Sequence, residues 1–334
     1  MRLAASLIVR DEAARIQDCL ASLTSLVDEI VVYDTGSLDD TVRLARTAGA
    51  RVVTGEWRED FSWARNAALD LCRADWVLSV DADEVVSGDR DALQRALDRA
   101  DVARTDVFAV VLHQPAAEQI GGGFANRQRR LFRRAGARWA GRVHERVVYE
   151  VDSDPVVLAE AALRIVHRGY AEANAVRDKA HRNLVLGLAE VSELQQREDA
   201  EALARALFDV GRSLVGIGQG EQALAPFEDV RTLVAARSRL WCEATDFLAR
   251  QLLVLNRERE ALELAEQLGA VVAHAEYAQW LAAQALVPLG EYAHAKERID
   301  RVDRVVDPSG RTYAPERLRE QQILIGELVR ATGG

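Results

Sequence analysis

Residues 76–84 read Trp-Val-Leu-Ser-Val-Asp-Ala-Asp-Glu, an apolar run that ends in three acidic side chains. The aromatic and β-branched residues predict a buried strand over 76–80, and the polar residues mark its end. Ligands of a mainly parallel α/β sheet bind at the carboxyl ends of its strands. We therefore expect Asp81, Asp83 and Glu84 to lie where such a sheet binds its ligand.

Short apolar runs alternate with amphipathic segments in the first half of the chain, up to Tyr170. The runs predict strands at 6–9, 29–33, 51–53, 76–80 and 107–112, and the segments predict helices at 12–23, 39–47, 62–71 and 91–97. This alternation is typical of βα units on a mainly parallel sheet. Two further strands end in polar residues, Arg10-Asp-Glu12 and Asp34-Thr-Gly-Ser37.

From residue 171 onward the chain reads as consecutive amphipathic helices rich in Ala, Leu and Glu. An alanine recurs five positions after a turn residue, at Ala223, Ala261 and Ala295. Small residues stand twelve positions earlier, at Gly211, Ala249 and Ala283, where two helices must approach closely. The spacing of these alanines resembles that of the tetratricopeptide repeat, whose helix–turn–helix units stack into a solenoid. A plain helical bundle is the alternative.

The charge of the chain is unevenly distributed. Its 43 basic and 53 acidic residues give a net charge of −10, which argues against nonspecific binding to nucleic acid or anionic lipid. Residues 1–126 carry a net −9, whereas residues 127–146 carry eight arginines against Glu145 alone, a net +7. The arginine spacing predicts strand, turn and strand in this stretch, which we expect to face an anion.

Composition excludes several other classes of protein. The three cysteines have no paired spacing, which fits neither a disulfide framework nor a zinc site and suits a reducing cytoplasm. With only Lys179 and Lys296, lysine chemistry has few candidates, and no phosphate-binding P-loop motif occurs. No run approaches the roughly 20 apolar residues of a membrane span. We expect a cytoplasmic protein without a membrane span.

The acidic strand ends indicate two kinds of contact. Asp81 and Asp83, at i and i+2 after a strand, can converge on one Mg²⁺ or Mn²⁺ that also holds diphosphate oxygens. A solvated acidic turn is the alternative. The Asp34 carboxylate could accept hydrogen bonds from a nucleobase edge or from ribose hydroxyls, whereas Ser37 and Asp39 are explained by helix capping.

Four ordered blocks between Ser6 and Glu84 resemble the family 2 glycosyltransferases of the GT-A fold. They are Ser6-Leu-Ile-Val-Arg-Asp-Glu12, Asp34-Thr-Gly-Ser-Leu-Asp-Asp-Thr41, Asp60-Phe-Ser-Trp-Ala-Arg-Asn66 and Asp81-Ala-Asp-Glu84. Three later stretches are similar to a bacterial subgroup that includes peptide S-glycosyltransferases and lipopolysaccharide-core glucosyltransferases, which often carry a tetratricopeptide-like tail. These stretches are Arg130-Leu-Phe-Arg133, Gly141-Arg-Val-His-Glu145 and Val166-His-Arg-Gly-Tyr170.

The resemblance implies a GT-A (Rossmann-like) nucleotide-sugar-binding domain over 1–170 and a tetratricopeptide-like domain over 171–334. The implied activity is metal-dependent transfer of a sugar from a nucleoside-diphosphate sugar to an acceptor nucleophile, with inversion. Asp34 would contact the nucleoside, Arg65 the nucleotide, and Asp81 with Asp83 the ribose, diphosphate and metal. Within the basic stretch, Arg130 and Arg133 fall on family-like positions and are the expected diphosphate contacts, the other arginines being solvated.

An inverting transfer needs a base within hydrogen-bond reach of the acceptor. Glu145 is our candidate, with His144 beside it, and Glu84 is the competing carboxylate. His144 could instead bind the metal or the diphosphate, and either residue could simply order a loop. His167 also resembles a family position, but a lone histidine beside an apolar run more often packs.

Two other functions stay open. A sugar-nucleotide pyrophosphorylase usually has a Gly-rich loop near its N-terminus, which Ile8-Val-Arg-Asp-Glu12 is not. The second is a non-catalytic binding protein, in which the helical repeats would bind the partner and the nucleotide-sugar site would be vestigial. We expect the helical domain to recognise an acceptor peptide, glycan or small molecule, or to form a homo-oligomer. Gly121-Gly-Gly123 is either a lid or an ordinary flexible loop.

Overall fold

The computed structural model describes residues 1–113, 125–150, 155–168 and 173–332. The chain divides into two compact units, residues 1–170 and residues 171–334. The glycine-rich loop at 121–123, expected above as a lid or a flexible loop, lies outside the described residues.

The first unit is an α/β domain with a mixed main sheet and a separate hairpin. Its strands are β1 (Leu3–Val9), β2 (Glu29–Asp34), β3 (Arg51–Thr54), β4 (Trp76–Ser79), β5 (Glu84–Ser87), β6 (Val107–His113), β7 (Ala125–Arg133), β8 (Arg138–Ala140), β9 (Arg146–Val148), β10 (Val156–Val157) and β11 (Arg164–His167). Its helices are α1 (Ile16–Leu23), α2 (Thr41–Thr47), α3 (Phe61–Leu71) and α4 (Arg90–Ala103).

The main sheet has the strand order β3-β2-β1-β4-β7-β6-β11-β5, with β10 beside β6. β1 to β4 run parallel, and the register pairs Val9 with Asp34, so these two strands end at the same edge. β7 lies antiparallel between β4 and β6. The predicted α/β class and its parallel half are confirmed. The strand, turn and strand predicted within residues 127–146 correspond to β7 and β8, whereas β5, β9, β10 and β11 were not predicted because each is short.

The core of this unit lies on both faces of the sheet. One face packs against α1 and α4, with Leu20 and Leu97 fully buried. The other packs against α3 and the β8–β9 hairpin through Leu69, Phe132 and Trp139. All four residues of β4 are buried, as expected for a parallel strand covered on both faces. This burial fixes the strand end that carries Asp81.

The second unit is helical. Its helices are α5 (Ala173–Leu194), α6 (Ala200–Gly216), α7 (Gly220–Leu233), α8 (Arg239–Val254), α9 (Glu258–Gly269), α10 (Ala275–Leu286), α11 (Tyr292–Ile299) and α12 (Pro315–Thr332), with a 3₁₀ turn (Val272–His274) before α10. Each helix packs against the next along the chain. The three repeat alanines are completely buried, as are Ala249 and Ala283. The predicted tetratricopeptide-like arrangement of helices is confirmed.

Gly211 of α6 lies against the ring of Phe227 in α7. A Cβ atom there would lie 2.6 Å from the ring of Phe227, which is itself fully buried. We expect Gly211→Ala to lower the free energy of unfolding by about 1–3 kcal/mol, because the ring must move in a packed core. Gly326→Ala in α12 is the matched control. Nothing lies within 4 Å of a Cβ there, so the alanine should stabilise the helix by up to about 1 kcal/mol. Chemical denaturation measures both, and equal effects would contradict this packing.

Among the described residues, no helix is both long enough and apolar enough to cross a membrane. The three cysteines are free thiols, and all are buried.

Candidate active site

The loop after β2 is folded around the carboxylate of Asp34. This side chain is completely buried and accepts hydrogen bonds from the backbone N–H groups of Gly36 and Ser37, at 3.2 Å each. The Ser37 hydroxyl also donates to it. Gly36 has a φ of +105°, a left-handed conformation that glycine adopts without strain. Asp34 therefore shapes its own loop, and its contact with a nucleoside stays a prediction.

Polar side chains of the same loop hold the acidic turn after β1. The backbone N–H of Asp11 donates to Ser37 Oγ at 2.9 Å, and that of Glu12 donates to Thr41 Oγ1 at 2.7 Å. The Asp39 carboxylate accepts from the N–H of Ala13 at 3.0 Å. These bonds explain why an Asp-x-Gly-Ser-x-Asp-x-Thr block accompanies the turn, and they fix two strand ends relative to each other.

Arg65 lies at the centre of a buried ion cluster. It projects from α3, is 8% exposed, and donates to Ser79 Oγ at 2.9 Å and to Asp81 Oδ1 at 2.8 Å. Its Nε donates to Glu145 Oε1 at 2.5 Å. One guanidinium thus joins the end of β4 to the loop before β9. The predicted residues Arg65, Asp81 and Glu145 are brought together although they are distant in the sequence.

Arg130 approaches the same cluster from β7. Its Nη2 lies 2.9 Å from Asp81 Oδ2 and 3.1 Å from Glu84 Oε1. The register of β7 against β6 pairs Leu131 with Phe108 and Arg129 with Ala109, so Arg130 occupies a β-bulge. A bulge redirects a side chain, here into the cluster. Arg133 instead pairs with Asp101 and Asp106, at 3.0 and 3.1 Å, and stays outside it.

The carboxyl groups of Asp81 and Glu84, in the turn after β4, have opposite electrostatic environments. Burial alone would raise the pKa of Asp81, but Arg130 and Arg65 outweigh it and hold that pKa well below its usual value. Burial, together with the nearby charge of Asp81, raises the pKa of Glu84 to about 7. Glu84 is completely buried and accepts the backbone N–H of Asp81 at 2.8 Å. Glu84 therefore supports the turn from inside.

Asp83 lies at the surface side of the turn, next to a histidine. Its Oδ2 is 3.1 Å from Nε2 of His167, and both side chains are partly exposed. The antiparallel register of β5 and β11 places His167 opposite Glu84, and the N–H of Arg168 donates to the carbonyl oxygen of Asp83. Although burial opposes it, the hydrogen bond from His167 lowers the pKa of Asp83. Asp83 is therefore an ionised, accessible carboxylate.

The turn that carries His144 and Glu145 has an unusual backbone. Gly141 has a φ of +96° and His144 a φ of +52°. Such angles in a residue other than glycine often occur at functional sites. The turn leaves the Glu145 side chain 13% exposed, facing Arg65.

The cluster has the features of a site that binds an anion and supports general-base chemistry. Two largely buried arginines (Arg65 and Arg130), three partly exposed carboxylates (Asp81, Asp83 and Glu145) and His167 lie near the carboxyl end of β4, and all except His167 lie within residues 7–147. Those residues match the model of glycosyl transferase family 2. This match agrees with the four blocks of sequence that predicted it.

Two curated relatives are similar to this chain. A TPR repeat-containing protein of Synechococcus elongatus is 39% identical over 142 residues, which cover 42% of this chain and 34% of the relative. The SPbeta prophage-derived glycosyltransferase SunS of Bacillus subtilis is 30% identical over 224 residues, which cover 65% of this chain and 50% of the relative. The alignments thus span a third to a half of the length of these relatives.

Among solved structures, S. aureus TarS is similar with a TM-score of 0.41 and 14% identity, over 78% of this chain and 53% of that chain. A TM-score this low supports no conclusion about this chain.

Three side chains of the first unit were missed or set aside from sequence. Ser79 carried no signal, because a small polar residue in a strand is common. His167 was judged a packing residue, yet it lies beside Asp83. Asn66 was quoted only as part of a motif, although it bonds the hairpin. The signal that could have identified His167 and Asn66 is their place in the same family-like blocks as the predicted residues.

Proposed function

We propose that this chain transfers a glycosyl group from a nucleoside-diphosphate sugar to an acceptor nucleophile. The family match supports this proposal, since residues 7–147 include the buried cluster around Arg65. So does the relative named a glycosyltransferase, which shares 30% identity with this chain.

The observation that carries the proposal is the pair of arginines fixed on Asp81. Transfer from a nucleotide sugar leaves a diphosphate on which negative charge develops, and preorganised cationic groups stabilise that charge. Arg65 and Arg130 are already desolvated and held by hydrogen bonds to Asp81, so little reorganisation is needed when the diphosphate forms. Arg133 is retained as a proposed diphosphate contact only through its family-like position.

A divalent cation fits this site if the donor supplies part of its coordination. Among the described residues, no group of three or more His, Cys, Asp and Glu is arranged to hold a metal. Asp83 and His167 offer two adjacent ligands, and Mg²⁺ or Mn²⁺ commonly takes its remaining ligands from phosphate oxygens and water. Asp81, proposed with Asp83 as a ligand, has both oxygens bound by arginines. A bound cation would neutralise charge on the leaving diphosphate.

Glu145 is the proposed base for the acceptor. It is partly exposed and oriented by Arg65, whereas the competing Glu84 is completely buried and cannot touch an acceptor without moving. His144, the preceding residue, is proposed to assist it or to bind the diphosphate. Inversion at the sugar follows if Glu145 deprotonates an acceptor that attacks directly.

For the second unit we propose a role in acceptor recognition or in homo-oligomerisation. Stacked helix pairs present extended surfaces that bind peptides and other partners. The acceptor is proposed to be a peptide, a glycan or a small molecule, and the protein to act in the cytoplasm.

The test is a thermal-shift screen of UDP-, GDP-, ADP- and CDP-linked sugars, each with and without Mn²⁺. Selective binding to the folded state raises the midpoint of unfolding. We expect one nucleotide class to raise it, with a larger shift when Mn²⁺ is present, and Mn²⁺ alone to have little effect. Absence of a shift with every sugar at millimolar concentration would overturn the proposal.

A further inference from the structure

The β8–β9 hairpin, which carries the proposed base, is not part of the main sheet. In the described part of the chain β8 and β9 pair only with each other, through three residue pairs. A two-stranded hairpin is marginally stable alone, so its position depends on what it is attached to. The position of Glu145 therefore depends on contacts made by residues outside the hairpin.

The side chain of Asn66 in α3 makes two hydrogen bonds with the backbone of Trp139 in β8, in the pattern that a neighbouring strand would make. Its Nδ2 donates to the carbonyl oxygen of Trp139 at 2.9 Å, and its Oδ1 accepts from the N–H of Trp139 at 2.9 Å. The side-chain amide thus replaces a neighbouring strand along β8. A primary amide can do this because it has a donor and an acceptor side by side.

Further contacts of α3 reinforce this attachment. The first helical N–H of α3, that of Phe61, donates to the carbonyl oxygen of Arg142 at 3.0 Å, in the turn that leads to Glu145. Asp60 caps the same helix by accepting from the N–H of Trp63 at 2.9 Å. The Trp139 ring, in turn, lies 5.0 Å from the guanidinium of Arg65. The helix is thus joined to both the strand and the turn of the hairpin.

We infer that Asn66 is the positioning residue that sets Glu145 against Arg65. Arg65 and Asn66 are adjacent in α3, so one turn of helix fixes both the guanidinium and the hairpin that brings the carboxylate to it. A shift of the hairpin would therefore change the contact between Arg65 Nε and Glu145 Oε1. Displacements of about 1 Å can cost roughly 100-fold in rate. The inference rests on the proposed function for its catalytic consequence and on the structure alone for its geometry.

Asn66→Leu and Asn66→Asp test the inference together. Leucine has a similar size and removes both bonds, whereas aspartate keeps the acceptor and places an oxygen against the Trp139 carbonyl. The matched control is Asp70→Asn, which removes an exposed ion pair between the same helix and the same strand, Asp70 with Arg138 at 3.5 Å. All three variants are compared as full-length chains.

The first measurement is amide hydrogen exchange of residues 138–148 without any ligand. We expect exchange there to speed up by roughly 5-fold in Asn66→Asp and roughly 30-fold in Asn66→Leu, because each lost hydrogen bond is worth about 1 kcal/mol, while exchange in β1 and β4 stays unchanged. Asp70→Asn should match the wild type. Unchanged exchange over 138–148 in Asn66→Leu overturns the inference whatever the activity proves to be.

The second measurement is release of nucleoside diphosphate from the sugar nucleotide that the thermal screen selects. We expect kcat to fall roughly 10- to 100-fold in the Asn66 variants, with affinity for the free nucleoside diphosphate within about threefold of wild type. If Asn66 acts through Glu145, Asn66→Asp combined with Glu145→Gln should be no slower than Glu145→Gln alone. If the double variant is slowed by the product of the two separate effects, the inference is overturned while the proposed function stands. A wild-type chain that turns over none of the sugars overturns the proposed function and, with it, the catalytic part of the inference.

Discussion

Replacing Arg65 by lysine should weaken the binding of a nucleoside diphosphate by at least roughly 100-fold and lower the free energy of unfolding by about 3 kcal/mol. The guanidinium donates in three directions, to Ser79, Asp81 and Glu145. A single ammonium on a flexible stem cannot reach all three acceptors. Asp81 is then left with Arg130 as its remaining cation, and breaking an ion pair with a buried partner such as Arg65 is costly.

Binding of UDP, GDP and ADP by calorimetric titration measures the first effect, and chemical denaturation the second. Arg138→Lys is the control, because Arg138 forms an exposed pair with Asp70 at the end of the same helix. Exposed pairs contribute little, so this variant should behave as the wild type. Wild-type affinity in Arg65→Lys would show that the cluster does not bind the diphosphate.

Asp83→Asn should abolish the part of nucleoside-diphosphate binding that depends on Mn²⁺. The asparagine side chain keeps a hydrogen-bonding oxygen near His167 but loses the charge that a divalent cation requires. We expect affinity in the presence of Mn²⁺ to fall at least roughly 100-fold, to the metal-free level, while metal-free affinity stays as in the wild type. Because Asp83 is partly exposed, the free energy of unfolding should change by less than about 1 kcal/mol.

Asp18→Asn provides the control for this prediction. Asp18 is an exposed carboxylate 3.6 Å from Arg168, the residue that follows His167. Its loss changes the net charge by the same amount without touching the proposed ligands. Equal affinity of Asp83→Asn and wild type, both with and without Mn²⁺, would rule out Asp83 as a metal ligand.

The local sequence pattern was sufficient to predict the parallel strands of the first unit and the helices of the second. The strand before Asp81 was predicted because its buried residues form an apolar run in the sequence. The repeat alanines were predicted because each is buried where two helices pack closely. The strands β9 and β11 were not predicted, since both are short and show little apolar alternation.

The arginines of the basic stretch show the limit of such reasoning. The sequence made Arg130 and Arg133 equal candidates. In the structure a β-bulge turns Arg130 toward Asp81, whereas Arg133 bonds two aspartates elsewhere. A bulge depends on how two distant strands pair, and the residues of one strand do not reveal it.

Local sequence was enough to predict the class of the fold, the match of residues 7–147 to the family 2 glycosyltransferase model and the acidic strand ends at Asp34, Asp81 and Asp83. These features follow from local periodicity and from motifs within a few residues of each other. Tertiary structure alone decided that Arg65, Arg130 and Glu145 converge on Asp81, that His167 lies beside Asp83, and that Asp34 turns inward. These contacts arise because β7 pairs antiparallel with β4 while α3 holds the β8–β9 hairpin, and burial and register set such pairing between segments that are far apart in the sequence.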